Sequence, residues 1–266
     1  MEKVKKMISR AGLLSIAEKA AKVAGDIIRK RISGYKEVSY KGVVDLVTDV
    51  DKLSERKIIR VINKYFPEHS ILTEEMGSIS KKSDYKWIID PIDGTTNFFH
   101  AYPFVSVSIA VEHKGKIITG VVHDPLKYET FTAINGKGAF LNGKRIHVSR
   151  IHAIEQSLLS TGFPYDIRHT NENNIDNWIR FLKRAQAIRR DGSAALDLCY
   201  VAAGRFDGFW EMKLKPWDVS AGSLIVNEAG GKVTDFLGEH FSIYNNNIVA
   251  SNGIIHGDLL DVLNKR

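Results

Sequence analysis

The chain is predicted to be a layered mixed α/β protein, with an antiparallel sheet in its N-terminal half and an alternating α/β arrangement in its C-terminal half. Three observations predict this. A long run of apolar residues at helical spacing opens the chain. Strand-like segments joined by tight turns follow from residue 105 to 141. Strands and helices then alternate to residue 251.

The elements follow in order. From Val4 to Ile32, Met7, Ile8, Ala11, Leu14, Ala17, Ala21, Ala24 and Ile28 recur at helical spacing, and Ser33-Gly34 ends the run. Val43 to Val47 reads as a strand. Thr48 or Asp49 can cap a following helix that runs to Phe66 and stops at Pro67, which puts Asp51 in its first turn. Ile71-Leu72-Thr73 is a short strand that delivers Glu74-Glu75 to its end. Trp87-Ile88-Ile89 reads as a buried strand. Val105, Val107, Ile109 and Val111 alternate with Ser106, Ser108, Ala110 and Glu112, the pattern of a strand with one buried face. Strands at 117–123, 129–133 and 139–141 continue the sheet, with Asn142-Gly143 as a hairpin turn. The second half reads as strand 158–161, helix 172–186, helix 194–203 ended by Gly204, strand 208–212, helix 219–229 ended by Gly230-Gly231, and strands 232–234 and 248–251.

Composition narrows the class. The 266 residues suffice for a substantial core, and 44% apolar with 26% charged residues is ordinary for a globular protein. No window is long and apolar enough for a transmembrane helix, and the charged start Met1-Glu2-Lys3 lacks the apolar core of a signal peptide, so no membrane association and a cytoplasmic location are expected. The single Cys199 has no disulfide partner and falls in a helix-like apolar run, the setting of a buried structural thiol. The net charge of +7 is spread over short clusters such as Arg29-Lys30-Arg31 and Arg189-Arg190, with no aromatic-interleaved basic stripe. The histidines lack zinc-site spacing, and no Gly-x-Ser-x-Gly elbow is present.

The chemistry concentrates in Asp90-Pro91-Ile92-Asp93-Gly94-Thr95-Thr96-Asn97-Phe98. Pro91 biases Asp90 away from the helical region, so Asp90 is expected at the end of the strand and Asp93 in the turn after it. Carboxylates placed this way share hard cations such as Mg²⁺, which binds through one or two carboxylates plus phosphate and water. Gly94-Thr95-Thr96 supplies close backbone approach and N–H groups for a phosphate, especially if a helix begins there. Structural readings stand beside these. An Asx-rich turn with Thr caps has the same composition, Asp51 suits the positive end of a helix dipole, and Glu74-Glu75 suits a solvated turn. Asp218 and Ser193 both suit N-caps.

The nine-residue string resembles the signature of the inositol monophosphatase family, the Mg²⁺-dependent, lithium-sensitive phosphatases. Trp217-Asp218-Val219-Ser220-Ala221-Gly222, leading to Asn227-Glu228-Ala229-Gly230-Gly231 and about 125 residues downstream, resembles the family's second motif. Segments 189–198, 204–211 and 214–216 resemble its bacterial branch. The resemblance covers nearly the whole chain. It implies the αβαβα sugar-phosphatase sandwich, with a boundary near residue 150. Residues 1–150 would then hold the antiparallel sheet and most metal ligands, and residues 151–266 Asp218 and the substrate-contacting groups.

The resemblance also implies roles, with two or three Mg²⁺ ions per site. Glu74, Asp90, Asp93 and Asp218 match metal ligands, and the Ile92 carbonyl completes the first site. A third, weaker ion would lean on Glu74 and phosphate. Thr95 matches the hydroxyl that orients the attacking water, with Glu74 in the same catalytic group, and Asp51 matches the carboxylate that accepts from Thr95. Glu211 matches the residue that binds a polyol hydroxyl. Gly192-Ser193-Ala194 lines the ring, while Asp93, Gly94, Thr95 and Asp218 also face substrate. Lys41 lies one residue closer to the following strand than the metal-site lysine of animal relatives, which leaves its role open. Inositol 1-phosphate is the leading substrate and fructose 1,6-bisphosphate the alternative. A homodimer is implied. Some bacterial relatives are implicated in RNA-polymerase-associated antitermination, so a nucleic-acid or transcription-machinery partner is the alternative from a different class.

Overall fold

The computed structural model of the chain describes residues 9–34, 37–40 and 46–265. Lys41, residues 4–8 of the expected N-terminal helix and residues 43–45 of the expected strand lie outside them.

Helix α1 (Arg10–Arg31) begins at Ser9, whose hydroxyl accepts from the Gly12 N–H at 3.1 Å. Its small buried face, Ala17, Ala20, Ala21, Ala24 and Gly25, lets α2 (Asp49–Tyr65) and the sheet pack close. A short ribbon of β1 (Val38–Tyr40) and β2 (Leu46–Thr48) leads into α2, where Thr48 is the N-cap and Asp51 closes a capping box.

Behind these helices lies an eight-stranded sheet made of β3 (Ser70–Thr73), β4 (Gly77–Ile79), β5 (Tyr85–Asp93), β6 (Ser106–His113), β7 (Lys116–Asp124), β8 (Glu129–Ile134), β9 (Gly138–Leu141) and β10 (Lys144–Arg145). Its order is β10-β9-β8-β7-β6-β5-β3-β4. The pairs are antiparallel as expected, except that β3 runs parallel to β5, with Thr73 opposite Ile89. Asn142 and Gly143 both have positive φ, as the expected hairpin turn requires.

The second half holds β11 (Leu158–Thr161), α4 (Ile175–Leu182), β12 (Ala187–Arg189), α5 (Ala194–Ala202), β13 (Gly208–Met212), α6 (Pro216–Glu228), β14 (Lys232–Thr234), β15 (Asn247–Ser251) and α7 (His256–Asn264). A short helix α3 (Thr95–Phe99) follows β5 in the first half. The second sheet, ordered β12-β11-β13-β15-β14, is mixed: β11 is parallel to β12 and β13, whereas β15 is antiparallel to β13 and β14.

Helices α5 and α6 lie between the two sheets, and α4 and α7 pack together beyond the second. The layers therefore run α1/α2, sheet, α5/α6, sheet, α4/α7, which is the αβαβα arrangement. The central helices are buried over most of their surface because both faces meet a sheet. Cys199 is fully buried among them.

Some boundaries differ from the sequence reading. The expected helix 172–186 is only Ile175–Leu182, since Asn174 sits at φ 70° and Ala187–Arg189 pairs as β12. Helix α6 starts at Pro216 rather than Val219, because proline at the first helical position gives up only an N–H that the helix would not use. Helix α7 was not anticipated: Ile255 offers no capping side chain and Gly257 interrupts its first turn, although Leu259, Val262 and Leu263 are buried at helical spacing.

Candidate active site

Strand β5 carries the first wall of a cavity of about 410 Å³. The strand does not stop at Asp90 but continues through Asp93, and its pairing with β6 slips there: Asp90 faces Ser108 and Asp93 faces Ser106. The bulge corrects the expected strand-then-turn geometry. Residues three apart on a regular strand point to opposite faces, and one extra residue re-aims the second of them. Asp90, Ile92 and Asp93 all line the cavity in consequence. Because β3 is parallel to β5, the residue after Thr73, Glu74, reaches the same rim. Gly94 then takes φ 96°, a left-handed conformation, and begins α3. A Cβ on it would press on the Phe104 and Gly192 carbonyl oxygens at 3.0 and 3.1 Å.

Thr95 lines the cavity, and Asp51 lies fully buried behind it. The Thr95 Oγ1 is 3.0 Å from both Asp51 Oδ1 and the Ile92 carbonyl oxygen. Asp51 Oδ2 in turn accepts from the Thr48 hydroxyl at 2.5 Å and its N–H at 2.8 Å. The helix-dipole reading and the reading as a partner of Thr95 thus hold together, since one carboxylate closes the cap of α2 and receives Thr95.

The opposite wall comes from separate segments of the second half: residues 161–166 after β11, 190–197 at the start of α5, and 211–218 from β13 into α6. Asp93 joins the walls. Its Oδ2 accepts from the Ser193 hydroxyl at 2.5 Å and the Ala195 N–H at 2.8 Å, at the N-terminus of α5. Ser193 also caps α5 by accepting from Leu196 N–H at 3.4 Å, so it both caps the helix and lines the cavity. Asn97 Nδ2 ties the same junction to the carbonyls of Phe104 at 2.8 Å and Asp191 at 2.7 Å. Asp218 is not an N-cap. It sits at the third position of α6 and accepts from Lys215 N–H at 2.7 Å.

Electrostatically the cavity is crowded with acid. Burial first, then the charges of Glu74, Asp93, Asp218 and Asp51, lift the Asp90 carboxyl well above the usual range. Burial and then Asp93 do the same for Asp218. Burial raises Asp93 to about 6 against hydrogen bonds that favour its charged form, Asp51 to about 6, and Glu211 to about 8 with Arg190 opposing. No side-chain cation figures among the main influences on Asp90. Mutual repulsion and burial oppose ionisation of this cluster, a nearby cation would favour it, and an all-oxygen donor set of carboxylates plus the Ile92 carbonyl suits a hard divalent ion. The residues therefore fit magnesium. Among the described residues no three acidic, histidine or cysteine groups already converge to hold an ion alone. Water and phosphate oxygens would complete the coordination, as magnesium usually requires.

The cavity gathers Glu74, Asp90, Ile92, Asp93, Gly94, Thr95, Gly192, Ser193, Ala194, Glu211 and Asp218, with Asp51 directly beneath. Several lining residues carry no site role in the sequence reading, Gly162, Asp197 and Lys213 among them. Gly162 has no Cβ because the Glu211 carboxylate occupies that place. Asp197 brings a buried carboxyl whose Oδ1 has no partner among the described residues. Lys213 enters beside Glu211, paired with Asp166 at 2.8 Å. Arg190 lines the cavity, while Arg189 turns outward and donates to the Ile188 carbonyl at 3.2 Å.

An αβαβα sandwich with an acid-lined cavity between strand ends of its two sheets and the starts of the helices that separate them defines a class, and the comparisons agree with it. The chain belongs to the Inositol monophosphatase family, whose profile it matches over residues 10–266. It is a phosphatase. It is 45% identical over 249 residues to Nus factor SuhB of Pseudomonas aeruginosa, covering 90% of this chain and 91% of that one. Its structure resembles that of extragenic suppressor protein suhB from Bartonella henselae, with a TM-score of 0.91 and 40% identity over 95% of this chain and 98% of that one. It also resembles Inositol monophosphatase from Anabaena (Nostoc), with a TM-score of 0.87 and 42% identity over 94% of each chain. No helix among the described residues is long and apolar enough to cross a membrane.

Proposed function

We propose that this phosphatase is Mg²⁺-dependent and hydrolyses the phosphate monoester of a small polyol, inositol 1-phosphate first, by direct attack of water without a phosphoenzyme. The observation that carries the reading is one cavity with clustered carboxylates on one wall and a buried, protonatable Glu211 on the other. Glu74, Asp90 and the Ile92 carbonyl would hold one ion, Asp90, Asp93 and Asp218 a second, and Glu74 with phosphate a weaker third. Bound magnesium would supply positive charge for the phosphoryl oxygens and leaving alkoxide and lower the pKa of water.

The chain's own groups do the rest. Asp51, ionised above about pH 6, accepts a hydrogen bond from the Thr95 hydroxyl and leaves the Thr95 oxygen lone pairs free to accept from a water in the cavity. Glu211, raised to about 8, keeps its proton at neutral pH and can both donate to and accept from a polyol hydroxyl. Gly162 leaves room for it. Phosphate release from inositol 1-phosphate and fructose 1,6-bisphosphate, measured in parallel with Mg²⁺ and with EDTA, tests the reading. Turnover of inositol 1-phosphate that EDTA abolishes supports it, preference for the bisphosphate moves the substrate, and turnover unaffected by EDTA overturns it.

A second reading, association with the transcription machinery, is favoured by the name of the Pseudomonas relative, Nus factor SuhB. Salt-sensitive RNA retention that persists in Asp90→Asn would support it, and its absence at low salt would count against it. We extend the main reading to a homodimer, which sedimentation of the purified chain checks directly.

A further inference from the structure

Helix α2 reaches two rims of the cavity from behind. Asp51 and Glu55 are four residues apart on it, so they share one face a single turn apart, and both are fully buried. Asp51 meets Thr95, the residue that follows the β5 bulge and its glycine. Glu55 does the equivalent at the end of β3. Its Oε2 accepts from the Thr73 hydroxyl at 2.5 Å and from the Glu75 N–H at 2.9 Å. These donors are the residues immediately before and after Glu74.

One carboxylate thus clasps both neighbours of a cavity carboxylate. Its other oxygen, Oε1, is buried without a partner among the described residues. Burying an acid with one oxygen unsatisfied is costly. The hydrogen-bond donors to Glu55 come from the segment around Glu74, and the Met76 N–H also favours the charged carboxylate.

We propose that Glu55 is a positioning residue for the reaction: by gripping Thr73 and Glu75 it aims Glu74 into the cavity, and by sharing the face of α2 with Asp51 it keeps the Glu74 and Thr95 rims in fixed relation. The inference rests on the magnesium reading above, because Glu74 is there a ligand. Glu55 touches neither substrate nor ion in this account. It acts through the two residues that flank Glu74, and a Gln, which keeps an accepting oxygen in the same place, should serve nearly as well.

The test is Mg²⁺ affinity by calorimetry, with kcat, KM and melting temperature, for the wild type, Glu55→Ala, Glu55→Gln, Thr73→Val and Asp90→Asn. Groups that orient metal ligands typically govern affinity or activity by roughly 10–100-fold, so Glu55→Ala is expected to weaken Mg²⁺ binding and kcat on that scale, Thr73→Val by less, and Glu55→Gln by under ~3-fold. KM measured at saturating Mg²⁺ should stay near wild type and the Mg²⁺ affinity should fall at full stoichiometry, whereas a partial loss of fold would lower the stoichiometry and leave the affinity of the folded fraction unchanged. Folded Glu55→Ala with wild-type Mg²⁺ affinity overturns the proposal, as does Glu55→Gln as impaired as Glu55→Ala. If Glu55→Ala does not fold, Thr73→Val decides, and unchanged affinity there overturns it. Lost binding in Asp90→Asn with full binding in Glu55→Ala sinks only this inference. Wild-type binding in Asp90→Asn instead removes the magnesium reading, and the inference with it.

Discussion

The two walls of the cavity are built by different means. On the β5 side, Asp90, Ile92, Asp93, Gly94 and Thr95 are neighbours in sequence, and a single bulge plus one left-handed glycine turns them to a common side. On the far side, Gly162, Arg190, Ser193, Asp197, Glu211 and Asp218 come from strand ends and helix starts spread over more than fifty residues. The first wall is set by local backbone geometry and stiffened from below by α2. The second depends on how α5, α6 and the smaller sheet pack. We assign the first wall and Asp218 to charge chemistry and the rest of the second to recognition, and variants on the two sides should therefore fail in different ways.

The largest effect is expected from Asp90→Asn. It removes the carboxylate that feels the charges of Glu74, Asp93, Asp218 and Asp51 together. Turnover should fall roughly 10³-fold or more, the scale on which preorganised electrostatic groups act, with the circular dichroism spectrum unchanged. Activity within a few-fold of wild type would erase the distinction between the walls. Gly162→Ala is expected next, because a methyl group there displaces the Glu211 carboxylate. Overpacking of this kind costs about 1–3 kcal/mol. KM should rise with little change in Mg²⁺ dependence, and a shifted Mg²⁺ response would place Gly162 with the other wall.

Glu211→Gln should act more gently, by roughly 10-fold in the preference between inositol 1-phosphate and fructose 1,6-bisphosphate. Competition assays measure it. The smallest effect is a pH dependence of stability without metal. Burial raises Asp90, Asp93, Asp218, Asp51 and Glu211 above their unfolded values, so between pH ~4 and ~8 the native state holds more protons than the unfolded one. Stability is full below the unfolded values near 4 and is lost as pH rises through about 6 for Asp51 and Asp93 and about 8 for Glu211. The melting temperature in EDTA should fall from pH 5 to pH 8, and Mg²⁺ should restore more of it at pH 8. A melting temperature that rises over this range without metal would contradict the acid cluster.

The contrast between the walls also explains what could be read in advance. Asp90, Asp93 and Thr95 were legible because the chemistry is contiguous, though the bulge that aligns them was not. Pro91 marked a break, and only the pairing of Asp93 with Ser106 shows that the strand continues past it. Asp51 was legible through the Thr48 cap, which puts it in the first turn of α2. Gly162 carries no local signal, since its reason for being glycine is a side chain forty-nine residues away. Asp197 looked like an ordinary helix residue, and only the packing of α5 against the cavity gives its carboxyl a place there. In Ser193 and Asp51 one side chain both closes a helix cap and meets the cavity or the Thr95 hydroxyl behind it. The parallel β3–β5 pair, which brings Glu74 beside Asp90, follows from long-range sheet order that local periodicity does not encode.

The most direct test of the division between the walls is a calorimetric Mg²⁺ titration of the wild type, Asp90→Asn and Glu211→Gln under identical conditions. Binding that is lost in Asp90→Asn and kept in Glu211→Gln is the predicted result. Wild-type affinity in Asp90→Asn, or equal loss in both variants, would contradict it.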